Sequence, residues 1–144
     1  MLYSQSAKYA ILALMELATR SGDAHVSVRT LADSRAIPFP FLSNLLPPLV
    51  KAGLIEGKRG PHGGVRWRRA PGTVSMADVV RIIDGDDALK RCLFSTAPCD
   101  GTPNCALHAV WGPLRDQILA FLEKTSIQDA ADRLEALPGK QALT

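Results

Sequence analysis

The 144-residue sequence predicts a mostly α-helical fold with one small β-hairpin. Three observations lead to this prediction. Apolar residues recur at helical spacing over most of the chain, and a short glycine-rich segment separates two strand-like stretches. In addition, a long amphipathic stretch from about residue 105 to residue 124 predicts a helix of roughly 30 Å. Its apolar stripe is wider than so small a domain easily covers, so we expect a dimer, with packing on the first helix as the alternative.

The first two helices are predicted by apolar spacing and by residues that start and stop helices. Residues 3–20 carry apolar side chains at helical spacing, and Gly22 ends this run. Ser27 is placed to cap a short second helix, because its hydroxyl can accept a hydrogen bond from a free backbone N–H of the first turn. A tight turn at residues 35–37 then leads into a third helix.

The third helix has an apolar stripe and two internal prolines. Another proline lies in its first turn, where proline is tolerated, and Gly53 ends the helix. Pro47 and Pro48 remove two backbone donors, so we expect a bend in the C-terminal half, with residues 39–46 left to present side chains. The predicted buried stripe comprises Leu42, Leu45, Leu46, Leu49 and Val50.

A basic β-hairpin follows the third helix. Residues 54–57 and 65–68 form the predicted short strands around a glycine-rich turn at residues 59–64. Two helices joined by a tight turn and followed by such a hairpin make a winged helix-turn-helix, in which the third helix fits the DNA major groove. We therefore predict a DNA-binding domain over residues 1–72, which ends at a Pro-Gly linker.

The charge distribution supports a nucleic-acid partner for this domain. Residues 1–70 carry ten Lys and Arg against four Asp and Glu, a net charge of +6, whereas residues 71–144 carry seven against ten, a net charge of −3. A solvated basic face is the simpler interpretation, but the third helix and the hairpin favour double-stranded DNA. The predicted contacts come from the third helix (Phe39, Ser43 and Asn44) and from the hairpin (Lys58, Arg59, His62, Gly63 and Arg66).

The second half of the chain predicts three helices and a cysteine segment. Ser75 starts the first of these helices, with Asp78 placed for a capping box. The long amphipathic helix follows the cysteine segment, and residues 126–137 predict a short final helix. We assign residues 73–135 to a region that carries the cluster-binding loop and the dimerisation helices, and residues 136–144 to a flexible tail.

All three cysteines, Cys92, Cys99 and Cys105, lie in one short segment, and His108 follows three residues after the last. Thiolates suit iron–sulfur clusters, zinc or Cu(I), and an imidazole can replace one thiolate. Cysteine is also common as a small buried apolar residue, but the prolines, glycine and polar residues around these cysteines indicate a loop. The spacing therefore predicts a metal or cluster site, with redox-active thiols as the other interpretation.

Composition limits the location and the class of the protein. The longest apolar stretch, residues 9–15, is too short to cross a bilayer, and the N-terminus lacks the features of a secretion signal. We therefore expect a cytoplasmic protein without a membrane partner, in which clustered cysteines serve as ligands or reactive thiols. The chain has no Cys-x-x-Cys pair and no Ser/His/Asp grouping, so we do not expect an enzyme; an iron–sulfur carrier or redox enzyme is the remote alternative.

The sequence resembles the winged-helix iron–sulfur transcriptional regulators typified by IscR, NsrR and RirA. The resemblance extends from residue 1 to about residue 135 and is carried chiefly by Lys8-Tyr9-Ala10, Lys51-Ala52-Gly53-Leu54-Ile55, Arg59-Gly60-Pro61-His62-Gly63-Gly64 and Cys105-Ala106-Leu107-His108-Ala109-Val110-Trp111. It implies a homodimeric transcription factor, usually a repressor, that binds a palindromic operator. It also implies a 2Fe–2S or 4Fe–4S cluster that reports iron supply, oxidants or nitric oxide.

The resemblance further implies roles for individual residues. By family position, the cluster ligands are Cys92, Cys99 and Cys105. Arg59 in the wing contacts DNA, and His108 matches the histidine ligand of the IscR-like members, which makes it the expected fourth ligand. Lys8 stands where nitric-oxide sensors of the family use an acidic ligand, which a lysine cannot replace. A zinc-bound or thiol-switch regulator on the same scaffold is the alternative.

Overall fold

The computed structural model describes residues 2–20, 22–92, 99 and 106–137. This described chain contains six α-helices and one antiparallel hairpin, which confirms the predicted mostly helical fold with a small β wing. None of its helices is long and apolar enough to span a bilayer. In chain order the elements are α1 (Gln5–Thr19), α2 (Val28–Ser34), α3 (Phe39–Lys51), β1 (Ile55–Lys58), β2 (Gly64–Trp67), α4 (Met76–Asp84), α5 (His108–Lys124) and α6 (Ile127–Glu135). Two short 3-10 helices, Pro71–Thr73 and Ala88–Lys90, flank α4.

Helix α1 lies at the centre of the fold and packs against α2, α3, α4 and α6. Ser4 caps its N-terminus by accepting a hydrogen bond from Ala7 N at 3.1 Å. Eight residues of α1 are buried, and three of them are alanines, which let the neighbouring helices approach closely. Tertiary packing of this helix, more than its intrinsic propensity, therefore holds it in place.

The turn between α2 and α3 is as tight as the sequence predicts. Ser27 caps α2 by accepting a hydrogen bond from Thr30 N at 3.0 Å. Ala36 adopts a left-handed backbone conformation with a φ of 50°, and Ile37 N donates to Ala32 O at 2.9 Å. These contacts reverse the chain and set the angle between the two helices of the helix-turn-helix motif.

A nearly buried ion pair joins α1 to the end of α2. The Arg35 guanidinium lies 2.9 Å from a carboxylate oxygen of Glu16, and the two side chains are 9% and 13% exposed. Arg20 shares the same carboxylate at 2.8 Å. Loss of one partner from such a pair is costly, because the other charge stays behind in a low-dielectric environment.

Helix α3 continues through both internal prolines and ends at Lys51. The backbone hydrogen bonds beyond Pro47 and Pro48 keep the helix continuous. The bend that the sequence predicts in its C-terminal half stays a prediction. Each proline lacks only its own donor, and Ala52 N still donates to Pro48 O at 3.0 Å. The leucines of the predicted stripe are buried, whereas Val50 is 38% exposed because it lines a groove beside the hairpin. The prediction that Val50 is buried was therefore wrong.

Strands β1 and β2 pair in antiparallel register, with Ile55 opposite Trp67. Each strand lies within one residue of its predicted position. The sequence pattern does not predict a further pairing, in which Val26, just before α2, exchanges two backbone hydrogen bonds with Val65 at 2.8 and 2.9 Å. The hairpin is therefore anchored to the start of α2 as well as to the end of α3.

Two capping boxes lie side by side at the N-termini of α4 and α6. Ser75 and Asp78 form the predicted box of α4, and Ser126 and Asp129 form an equivalent box at α6. Ser75 and Ser126 also pair as an isolated antiparallel bridge, which lays α6 beside α4 with Ile127 fully buried. The buried residues of α1, α4 and α6 belong to one hydrophobic cluster. The division of the chain into regions at residues 72 and 135 stays a prediction.

Leu49→Ala is expected to lower the free energy of unfolding by roughly 2–5 kcal/mol, because Leu49 is fully buried and its truncation leaves a cavity beneath α3. Val50→Ala is the matched control at the next position, where a change within about 0.5 kcal/mol is expected for an exposed side chain. Urea denaturation followed by circular dichroism measures both variants. Equal losses of stability would contradict the observed orientation of α3.

Candidate DNA interface and cysteine segment

A groove of about 770 Å³ lies between α3 and the β-hairpin, and the start of α2 also lines it. It brings together five of the eight predicted DNA contacts: Phe39, Ser43, Lys58, Arg59 and Gly63. The other three, Asn44, His62 and Arg66, lie outside its lining. Asn44 is exposed on α3, and His62 is exposed in the turn of the hairpin. The recognition helix and the wing therefore face one shared surface, as a winged helix-turn-helix requires.

The charged side chains that line this groove are all positive. Arg29, Lys51, Lys58 and Arg59 supply the cations, and no carboxylate belongs to the described lining. A concave surface of one sign attracts a polyanion, and duplex DNA gains further from the release of its condensed counterions. The sequence interpretation misses Arg29 and Lys51, because only the folded chain brings the start of α2 and the end of α3 beside the hairpin.

The α3 side chains of the groove differ in what they can offer to a ligand. The Ser43 hydroxyl donates to Phe39 O at 2.9 Å, which uses its hydrogen but leaves a lone pair to accept a hydrogen bond. The ring of Phe39 is 36% exposed, and the guanidinium carbon of Arg29 lies 4.4 Å from its centroid. Helix α3 thus presents an aromatic ring and a hydroxyl to the groove.

Arg66 lines a separate depression of about 520 Å³, together with Asp23 and Trp67. It forms an ion pair with Glu56 on the neighbouring strand and donates to Asp23 O at 3.1 Å. The hydrogen bond and the charge of Arg66 hold the pKa of the Glu56 carboxyl below its ordinary value. Much of the positive charge of Arg66 is therefore compensated within the hairpin, whereas Arg59 is exposed at the turn.

The turn of the hairpin contains two glycines that leave no room for a side chain. Gly63 N donates to Gly60 O at 2.9 Å, and a Cβ on Gly63 would lie 2.2 Å from Lys58 O. Gly64 has a φ of 147°, and a Cβ there would lie 2.0 Å from Val26 O. The turn itself therefore requires Gly63, whatever contact this residue also makes with DNA.

Within the cysteine segment, the structure describes Cys92 and Cys99, and both are half-buried. Sγ of Cys99 lies 3.1 Å from Nδ1 of His108, the first residue of α5. Arg115 Nη1 donates to Cys99 O at 3.0 Å, and Cys99 N donates to Lys90 O at 2.8 Å. At this point the segment is held between the end of the second 3-10 helix and α5.

Cys99 and His108 are suited to bind one metal centre together. A thiolate and a neutral imidazole are ordinary ligands of iron–sulfur clusters and of zinc. Both side chains are half-buried, and their donor atoms lie next to each other. Cys105 lies outside the described residues, and within the described ranges no three His, Cys, Asp or Glu side chains converge on a metal position. The contact therefore joins two of the four predicted ligands.

Helix α5 exposes a row of large apolar side chains along one face. They are spaced three or four residues apart, and their exposed fractions range from 38% to 66%: Leu107, Val110, Leu114, Ile118 and Phe121. No described part of the chain covers this face. The alternative that α1 covers the stripe is therefore wrong, and the face is available to a partner helix.

Comparison with known proteins finds relatives over nearly the whole chain. A family model described as an iron-dependent transcriptional regulator matches residues 3–133. A helix-turn-helix transcriptional regulator of Mycobacterium tuberculosis is 38% identical over 130 residues, which cover 89% of this chain and 80% of the relative. The regulator IscR of Xenorhabdus nematophila is 29% identical over 130 residues, which cover 90% of this chain and 79% of the relative. The structure of CymR, the global cysteine regulator of B. subtilis, is similar with a TM-score of 0.73 and 25% identity, covering 90% of this chain and 95% of CymR.

Gly64→Ala is expected to separate the hairpin from the start of α2, because the added Cβ overlaps the backbone of Val26 and the φ of this position is strained for alanine. Faster hydrogen exchange at the Val65 amide and a lower Tm are the expected results. Gly57→Ala is the matched control in β1, where the nearest atom to the added Cβ lies at 3.9 Å. Unchanged protection of Val65 N–H in Gly64→Ala would contradict this role of the glycine.

Proposed function

The chain belongs to the Rrf2 family of transcriptional regulators, and on this premise we propose that it is a homodimeric repressor that senses iron, redox state or nitric oxide through an iron–sulfur cluster. DNA binding and transcription regulation follow from the family, and its relatives and fold are those of regulators, not of enzymes. The contact between Cys99 Sγ and His108 Nδ1 at 3.1 Å carries the proposal, because it joins two predicted ligands from the cysteine segment and α5.

Four side chains would hold the cluster: Cys92, Cys99, Cys105 and His108. When bound, the cluster supplies a centre whose oxidation state and integrity respond to iron supply, oxidants or nitric oxide. The chain positions the ligands. Lys90 O and the Arg115 guanidinium fix the backbone of Cys99, and the start of α5 fixes His108. Gly112, one turn further along α5, lies against the His108 ring, and a Cβ there would be in van der Waals contact with it at 3.4 Å.

A change at the cysteine segment would reach the groove through packed helices. His108 begins α5, α5 packs against α4, and α4 packs against both α1 and α3. Arg81 on α4 also forms an ion pair with Glu123 on α5. Because α3 lines the groove, displacement of α4 by α5 would alter the surface that meets DNA. This chain of contacts supports a coupling between the state of the cluster and DNA affinity.

Recognition of DNA would use α3 and the hairpin. With α3 in the major groove, Phe39, Ser43 and Asn44 lie nearest the base edges, where each base pair has its own donor and acceptor pattern. Lys58 and Arg59 would meet phosphates or the minor groove, and the hairpin would add His62, Gly63 and Arg66 at its edge. Two such surfaces in a symmetric dimer bind a palindromic operator whose half-sites lie about one helical turn apart.

A second candidate is a zinc-bound or thiol-switch regulator on the same scaffold. Two observations favour it. The structural neighbour CymR is the global cysteine regulator of B. subtilis. In addition, a thiolate and an imidazole in contact, as Cys99 and His108 are, suit zinc as well as a cluster. A Cys₃His zinc site is chemically ordinary, and three thiols allow one disulfide. Metal and sulfide content separate the two candidates.

Protein purified without oxygen is expected to be brown and to contain iron and acid-labile sulfide in similar amounts. Cys99→Ser is expected to lose most of the colour because it removes a thiolate anchor, and His108→Ala to keep some cluster that decays faster. His62→Ala, at an exposed histidine of the hairpin, is the matched control and is expected to match the wild type. Visible spectra and metal analysis measure the outcome. Colourless protein with one zinc per chain would replace the cluster proposal with the second candidate.

Ile118→Glu is expected to dissociate the dimer, because it places a charge in the exposed apolar row of α5. Ala109→Glu is the matched control: it adds the same charge at an exposed position nine residues earlier, which at 3.6 residues per turn lies on the opposite side of the helix. Sedimentation velocity measures both. A monomeric wild type, or a dimeric Ile118→Glu variant, would refute the proposed interface.

A further inference from the structure

We propose that Arg29 of α2 is a phosphate contact of the DNA-binding groove and that the ring of Phe39 positions its guanidinium for this contact. The inference rests on the proposed DNA-binding function. It adds a residue from α2 to the contacts assigned to α3 and the hairpin. It also gives the exposed ring of Phe39 a second role, which is to order the guanidinium of Arg29. This role is separate from any contact between the ring and a base.

The place of Arg29 in the fold indicates a phosphate rather than a base. Arg29 lies in the first turn of α2, is exposed, and lines the groove together with Lys58 and Arg59. In a helix-turn-helix the first helix of the motif crosses the DNA backbone, while the second helix enters the major groove. A cation on α2 that faces the same groove as α3 is therefore placed where the backbone passes.

The charge of Arg29 is available to a ligand. Among the described residues, no carboxylate forms an ion pair with Arg29. The described lining of the groove also contains no carboxylate. Arg66 provides the contrast, since Glu56 on the adjacent strand compensates its charge. An uncompensated guanidinium beside two further cations has a favourable interaction to gain from a phosphate.

The ring of Phe39 holds the guanidinium of Arg29 in place. The guanidinium carbon lies 4.4 Å from the ring centroid, within the range of a cation–π contact. A guanidinium stacked on a ring uses its flat face and leaves the N–H donors at its edge free for phosphate oxygens. Because the contact orders a long side chain before DNA arrives, less conformational entropy is lost on binding. Phe39 is thus a positioning residue for Arg29.

The test of Arg29 measures binding of a fluorescein-labelled random-sequence duplex by anisotropy over a series of salt concentrations. Arg29→Ala is expected to weaken binding. It should also reduce the slope of log K against log salt by about 0.9 for each phosphate that the variant no longer neutralises, or about 1.8 for a dimer with two such phosphates. Arg133→Ala removes the same charge from α6, outside the groove lining, and is expected to leave the slope nearly unchanged. Equal slopes in the two variants would overturn the proposal. Arg29→Gln gives the same readout if Arg29→Ala does not fold.

The test of Phe39 separates a positioning role from a direct contact with DNA. Phe39→Leu is expected to weaken binding by up to roughly two- to fivefold for each protomer that contacts the duplex, the value of one exposed cation–π contact. The salt slope should stay unchanged because Arg29 is still present. Phe39→Tyr keeps the ring and is expected to restore wild-type affinity. In the Arg29→Ala protein, Phe39→Leu is expected to have a smaller effect, limited to any contact of the ring itself with DNA. An equal decrease in affinity with and without Arg29 would overturn the positioning role.

Failure of this inference can be told apart from failure of the proposed function. Wild-type protein that binds no duplex even at low salt would overturn both. Wild-type protein that binds duplex and loses affinity in Arg59→Ala, yet keeps its salt slope in Arg29→Ala, would overturn the inference alone. A reduced slope in Arg29→Ala together with coupling to Phe39 supports both parts of the proposal.

Discussion

Helix α1 is buried along most of its length, and the arrangement of the described chain depends on it. Helices α2 and α3, which carry the DNA-binding surface, pack against α1, and so do α4 and α6 from the second half of the chain. Ala7, Ala10 and Ala13 are among its buried residues, so backbones can approach closely and gain dispersion contacts over a large area. A well-packed interior transmits displacement, so on the proposed function α1 and its neighbours would link the groove to the elements that hold the cysteine segment.

The ion pair between Glu16 and Arg35 places a charge at the edge of this buried helix. Arg35 Nε finds no hydrogen-bond partner among the described residues, so the pair is incompletely satisfied and is a weak source of stability. The ion pair also has a consequence for the geometry of the fold. Arg35 lies at the end of α2, where the chain turns through Ala36 into α3, and the carboxylate on α1 fixes that end. The orientation of the helix-turn-helix motif on the core thus depends on a polar contact as well as on apolar packing.

Features that depend on residues within one turn were predictable from the sequence. The caps by Ser27 and by Ser75 with Asp78 are examples, since the donor and the acceptor are neighbours along the chain. The helical period also predicted the exposed stripe of α5. It was less accurate at the edge of the α3 stripe. There it predicted that Val50 faces the core, whereas Val50 faces the groove. Contacts between distant segments, such as Val26 with Val65, carry no local signal and needed the folded chain.

The elements that line the groove differ in how directly they contact α4, and this bears on how a sensor could act on DNA. Helix α3 packs against α4 and also against α2 and β1. The hairpin is hydrogen-bonded through Val65 to the segment that starts α2. On the proposed function, a displacement of α4 by α5 would act on α3 more directly than on α2 and the hairpin. Arg29 on α2 and Phe39 on α3 are in contact, so a small shift of one helix relative to the other would change that contact. On the proposed function, ligand binding at Cys99 and His108 would act on the groove by displacing α4, and with it α3.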